Sequence, residues 1–166
     1  LWIGTDGQGL IQLYHYDSLF ETVHTSHPVR CFCEDEDGNI LIGTKGSGIK
    51  LLNPATKELT DYLNESKGLI SNSVYALRRN KANDIFIGTE GTGINILNAA
   101  TGRLEKLEIP DKYPPFKAVY NIYFTNNDSL LWVGTSGYGL IKINISREQG
   151  RYHVKGFRQY NSSDKN

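Results

Sequence analysis

Neither sign of charge dominates this sequence: 18 Lys and Arg stand against 18 Asp and Glu over 166 residues. Without a basic excess there is no electrostatic footprint for nucleic acid or for an anionic membrane surface, so composition argues against nucleic-acid binding by this segment. No apolar run approaches the ~20 residues of a membrane-spanning helix. Residues 1–30 also lack the basic, then apolar, then small-residue order of a signal peptide, so any contact with a membrane is expected only through a longer parent chain. Cysteine is scarce, with Cys31 and Cys33 alone in VRCFCE. A disulfide framework needs more of them, and a zinc site needs two further ligands at compatible spacing. In an unbroken strand positions 29, 31 and 33 point the same way, so both thiols are expected as small buried apolar residues. Proline is sparse too, at five, whereas glycine reaches 17 and tyrosine ten, the balance of a turn-rich globular chain rather than a low-complexity one.

The glycines are not scattered. LWIGTDGQGL at the start returns as ILIGTKGSGI, IFIGTEGTGI and LWVGTSGYGL, placing the Gly of each Gly-Thr pair at 4, 43, 88 and 134. Spacings of 39, 45 and 46 fall in the range of propeller blades. A second marker keeps step: Val29, Val74 and Val119 precede Gly43, Gly88 and Gly134 by 14, 14 and 15 residues. Each unit parses into four short strands. A Val-led run ends in a polar turn such as EDEDGN; LIGT, FIGT or WVGT follows; a T-x-G-x-G hairpin leads into GIKLLN, GINILN or GLIKIN; and a more polar outer strand closes the unit at 59–63, 103–109 or 152–160. These second strands are apolar on both faces, as in Ile40-Leu41-Ile42 or Ile85-Phe86-Ile87, the pattern of a strand buried on both sides.

The expected fold is therefore all-β: a β-propeller segment of about four blades, each a four-stranded antiparallel sheet, stacked radially. The units run over 29–63, 74–109 and 119–160, after a first blade at 1–23 that is truncated, and before a tail at 161–166. An incomplete ring would leave two apolar blade faces open to water. Either further chain or a second copy, hence a homo-oligomer, is expected to complete a ring of about eight blades.

DGNILIGT (37–44), NDIFIGT (83–89) and DSLLWVGT (128–135), with the lead-in KGLISNSV (67–74), resemble the two-component regulator propeller repeat. The resemblance implies part of the extracytoplasmic, periplasmic sensor region of a hybrid histidine kinase of the Bacteroides type, responding to oligosaccharides released from glycans. No kinase ATP-binding segment, phosphoacceptor helix, receiver aspartate or helix-turn-helix fits anywhere in this chain, so the segment itself is expected to be non-catalytic.

Tests for chemistry agree. The glycine-rich hairpins lack the terminal Gly-Lys-Ser/Thr of a phosphate loop and the third glycine of a dinucleotide fingerprint. Aligning Gly38 with the sixth position of a calcium loop puts Cys33 first and Thr44 twelfth, where carboxylates are required. HTSH at 24–27 has no companion ligand nearby in sequence. No catalytic residue, metal or cofactor is assigned. Candidate ligand contacts are the variable positions between the framework glycines, Asp6, Gln8, Lys45, Ser47, Glu90, Thr92, Ser136 and Tyr138, with Tyr113 and Phe116 of the proline-bracketed linker as sugar-stacking aromatics or as packing over a blade junction. A carbohydrate lyase or hydrolase and a protein-interaction platform stand as alternatives to ligand sensing.

Overall fold

The computed structural model describes residues 1–6, 9–13 and 20–161. Fifteen strands form one three-stranded and three four-stranded antiparallel sheets among the described residues, each sheet built from strands consecutive in sequence. The first blade holds β1 (Trp2–Gly4), β2 (Leu10–Leu13) and β3 (Phe20–Val23); the second β4 (Val29–Glu34), β5 (Ile40–Thr44), β6 (Ile49–Leu52) and β7 (Leu59–Leu63). The third holds β8 (Val74–Arg79), β9 (Ile85–Thr89), β10 (Ile94–Leu97) and β11 (Leu104–Lys106); the fourth β12 (Val119–Thr125), β13 (Leu130–Thr135), β14 (Leu140–Glu148) and β15 (Arg151–Tyr160). This is the propeller segment expected from the repeat, with the first blade one strand short and the sheets not closed into a ring. No helix among the described residues is long and apolar enough to cross a membrane.

Strands β5 and β9 are buried along their whole length because they contact a blade on either side. Their alternate residues divide between two cores: Ile40 and Ile42 pack toward the first blade, Leu41 toward the third. One blade on, Ile85 and Ile87 face back to the second blade while Phe86 faces forward to the fourth, edge-on to Phe124 and Tyr152 at ring centroids of 4.9 and 5.0 Å.

The Gly of each Gly-Thr pair lies in the strand, not in the turn, and in the first three blades it meets the marker valine of the next blade. A Cβ at Gly4 would stand 3.0 Å from Val29 Cγ1, one at Gly43 2.8 Å from Val74 Cγ1, and one at Gly88 2.6 Å from Val119 Cγ1. The two sequence markers are thus the two halves of one interblade contact, whereas the held spacing from each valine to the glycine after it is set within the blade, where Val29 pairs with Thr44, Val74 with Thr89 and Val119 with Thr135. At Gly48 and Gly139, the last glycines of their hairpins, the reason for glycine differs: φ is 69° and 72°, and a Cβ there would lie 2.2 and 2.1 Å from the carbonyl oxygens of Leu63 and Tyr160.

Three expectations change. The valine, Cys31 and Cys33 do not share a face: register shifts between Val29 and Cys31, leaving Arg30 as an unpaired bulge, so Val29 packs toward the first blade and both half-buried thiols toward the third. The outer strand of the third blade is shorter than 103–109 because the chain leaves the sheet toward Pro110. In the last blade β14 runs to Glu148, beyond the expected 144. A tight turn at Gln149 and Gly150, φ 50° and 82°, returns it directly to β15; two consecutive positive φ values are what a type I′ hairpin requires.

At the end of the blades opposite the T-x-G-x-G hairpins, a fully buried carboxylate fastens the third blade to the fourth. Asp84 Oδ2 accepts from the Tyr152 hydroxyl at 2.7 Å and pairs with Arg147 Nη2 at 3.1 Å, while its Oδ1 accepts from the Ala99 N–H at 2.9 Å. The Asn80 amide donates to the same phenol oxygen at 2.5 Å. Burial and the Asp84 carboxylate push the Tyr152 phenol well above its ordinary range.

Candidate functional site at the hairpin end

The hairpins and the linkers between blades emerge at one end and are tied together there by backbone. In three hairpins the threonine closes its own turn: Thr44 Oγ1 donates to Gly48 O at 2.9 Å, and Thr5 and Thr135 Oγ1 to Gly9 and Gly139 O at 2.7 Å, while Thr89 Oγ1 accepts from Gly91 N–H at 3.2 Å. The next residue joins a belt that crosses three blades. Lys45 N–H donates to Pro28 O at 3.0 Å, and Lys45 pairs with Ser73 in an antiparallel bridge. Glu90 N–H donates to Ser73 O at 3.0 Å, Ala118 N–H to Glu90 O at 3.2 Å, and Ser136 N–H to Ala118 O at 3.0 Å. Side chains on this belt project from a fixed frame, as binding residues on a rigid scaffold should. The 64–73 linker is fastened as well, since the buried Asn95 accepts from Ile70 N–H at 2.8 Å.

The belt separates the ten expected contact residues. Lys45, Glu90 and Ser136 are exposed on it, beside the start of the inner strands, and Asp6 is exposed in the first hairpin. Ser47, Thr92 and Tyr138 sit farther out and are half-buried; Tyr138 packs against the core and its carbonyl accepts from Gln159 Nε2 at 2.8 Å. Gln8 lies outside the described residues. Thr92, Tyr113 and Phe116 do come together, in a cleft of about 350 Å³ whose wall also carries Lys106, Glu108 and Asp111.

The cleft decides between the two roles expected of Phe116. It is 2% exposed and belongs to the core shared by the third and fourth blades, with its ring 6.1 Å from that of Phe157. It packs over the blade junction and cannot offer a face to a sugar. Tyr113 is half-buried and stacked on Phe157 at 4.9 Å and 20°, with Lys112 Nζ 5.0 Å from its ring centroid. Lys106, Glu108 and Asp111 were not singled out in the sequence; their place became visible only once the linker was seen to fold back over β10 and β11. The acidic turn 35–39 uses its own carboxylate, with Asp35 accepting from the backbone N–H groups of Asp37 and Asn39 at 2.9 and 2.8 Å.

The two-component regulator propeller model matches residues 25–46, which span a linker, β4, β5 and the start of a hairpin. The resemblance read from the motifs is thereby borne out. Among solved structures, the extracellular domain of a hybrid two-component system from B. thetaiotaomicron is 28% identical, with a TM-score of 0.65 over 84% of this chain and 18% of that one. The extracellular domain of a one-component system from the same organism is 23% identical, with a TM-score of 0.68 over 92% of this chain and 20% of that one. The β-propeller domain of Cps50 (Swd1) from Myceliophteria thermophila is 11% identical at a TM-score of 0.56, covering 90% of this chain and 51% of that one, a likeness of fold alone. The chain spans about a fifth of the length of the two bacterial extracellular domains. No curated protein matches it.

Proposed function

We propose, for a chain that carries a two-component regulator propeller repeat, that it is a non-catalytic, ligand-sensing part of a signalling receptor and works on the outer, periplasmic side of the membrane. The observation that carries this reading is the likeness, at 28% identity over 84% of the chain, to the extracellular domain of a hybrid two-component system. The ligand is an oligosaccharide released from a glycan. The cleft at the third blade supports that class: Thr92, Lys106, Glu108 and Asp111 supply the donors and acceptors that sugar hydroxyls need, beside the edge of Tyr113. Binding transmits a signal only if the ligand favours one arrangement of the receptor over another, because an equilibrium shifts by no more than the differential affinity.

The test is calorimetric titration of the protein with a panel of plant and host oligosaccharides. Saturable binding, weakened about tenfold by Glu108→Gln, an ordinary magnitude for one lost charged hydrogen bond, is expected. Saturable binding of a folded partner protein with no response to any sugar would replace ligand sensing with an interaction platform.

A further inference from the structure

The marker valines conceal a second repeated feature. In all three complete blades the inner strand breaks register right after the valine: between Val29 and Cys31, Val74 and Ala76, and Val119 and Asn121. The residue set out of the ladder is therefore Arg30, Tyr75 and Tyr120 in turn. Bulges re-aim a side chain, and repeated at one position they are built features rather than defects. Here they stand where the first strands of successive blades converge, β4 against β8 and β8 against β12.

What the bulges present is chemically coherent. Tyr75 and Tyr120 bring their rings to 4.5 Å between centroids at 31°, and Tyr120 is 50% exposed. An open groove of about 310 Å³ runs along them, with Arg78 and Asn121 on its walls. Arg78 is held there by donating from Nε to Ile122 O at 3.0 Å. Arg30 is exposed and within electrostatic reach of Tyr75, as is Glu90 on the belt above; burial, then Glu90 and Tyr120, raise the Tyr75 phenol. Arg78 on the groove wall and Arg30 within electrostatic reach of Tyr75, against the Glu90 carboxylate, bring an excess of positive charge beside an aromatic platform.

We propose that the bulged residues Arg30, Tyr75 and Tyr120, with Arg78, form a recognition ledge on the inner side of the blades for an anionic pyranose unit. The rings take the apolar face of the sugar, and the guanidinium groups take its carboxylate or sulfate. This rests on the reading of the protein as a glycan sensor but is separate from the cleft at Thr92–Phe116, and it makes the bulge position the one that sets specificity from blade to blade.

The experiment is an amide NMR titration of the ¹⁵N-labelled protein with three probes: a galacturonate trisaccharide, its fully methyl-esterified form and a sulfated galactose trisaccharide. The expected result is saturable shifts at Arg30, Tyr75, Tyr120 and Asn121 with at least one anionic probe, and binding at least tenfold weaker to the ester. Tyr120→Ala and Arg30→Ala, both at exposed positions, each weaken binding about tenfold. Which anionic probe binds distinguishes carboxylate from sulfate. Shifts confined to the cleft, or affinity unchanged by Tyr120→Ala and Arg30→Ala in a protein of unaltered melting temperature, overturn the ledge while leaving the sensor reading intact. Equal affinity for acid and ester overturns its anionic specificity. No saturable shift with any of the three probes overturns the ledge, and the sensor reading falls with it only if the calorimetric panel also shows no binding.

Discussion

Replacing Gly88 by Ala probes the contact that joins one blade to the next. The added Cβ would lie 2.6 Å from Val119 Cγ1 and 2.7 Å from the Val119 carbonyl oxygen, where ordinary contact begins at 3.4 Å. The valine side chain is fully buried and the carbonyl is backbone, so neither can step aside without moving a strand. Overpacking of this kind costs about 1–3 kcal/mol, against which Ala recovers about 0.4–1 kcal/mol by stiffening the unfolded chain. Gly134 is the internal control. It occupies the same place in its own blade, but no described blade follows it, and a Cβ there meets Asn121 Cβ at 3.6 Å, an ordinary contact. Gly134→Ala should therefore be neutral or stabilising by up to about 1 kcal/mol. In thermal unfolding of a chain this size, where 1 kcal/mol shifts the midpoint by about 2–4 °C, Gly88→Ala should melt several degrees below Gly134→Ala. Adding Val119→Ala to Gly88→Ala should not restore stability fully, since the carbonyl clash persists. Equal melting of the two single variants would refute the interblade lock.

Three further outcomes follow from the same structure. Tyr152→Phe should lower urea stability by about 1–2 kcal/mol and Asp84→Asn by about 2–3 kcal/mol, with the double variant losing less than the sum, because both act in one hydrogen-bonded clasp; full additivity would contradict it. Burial raises the Cys33 thiol from 9.0 to about 11 and Cys31 further in the same direction. Between pH 9 and 11 the unfolded chain loses thiol protons that the folded chain keeps, so stability that is complete below pH 9 falls across this window. Urea curves of Cys31→Ala/Cys33→Ala should be flatter there; an unchanged slope would assign the fall to other groups. The open blade faces, with Ile3 40% exposed on the first and Tyr123 and Leu140 60% and 43% exposed on the last, should make the isolated chain self-associate in sedimentation. Ile3→Glu should shift it toward monomer, and a wild-type chain that is monomeric at every concentration would sink the association.

Period and composition carried the fold a long way, because a propeller repeats one unit and each unit must bury both faces. LIGT and FIGT read as fully buried strands and are. What the markers do for each other was hidden, since Gly43 and Gly88 meet Val74 and Val119 of the next blade, while the fixed distance from Val to Gly comes from strand pairing within one blade. The bulges left a trace that alternation alone obscured. Val29 and Phe32, Val74 and Leu77, and Val119 and Ile122 each share a core although they are three residues apart, which an unbroken strand of period two does not allow. The candidate site was only half legible. The hairpin x positions were named for their variability, but which lie on the belt and which in the cleft depends on how a 12-residue linker folds back, and Phe116 in that linker was drawn into the core by Phe157 and the apolar face behind it.

Calorimetric titration of the intact protein with neutral and acidic oligosaccharides tests the central claim most directly. A sensor predicts saturable heat with at least one sugar at one-to-one stoichiometry, abolished by heat unfolding and weakened by changes at the hairpin end or the inner ledge. A folded protein that gives no saturable heat with any neutral or acidic sugar would contradict it.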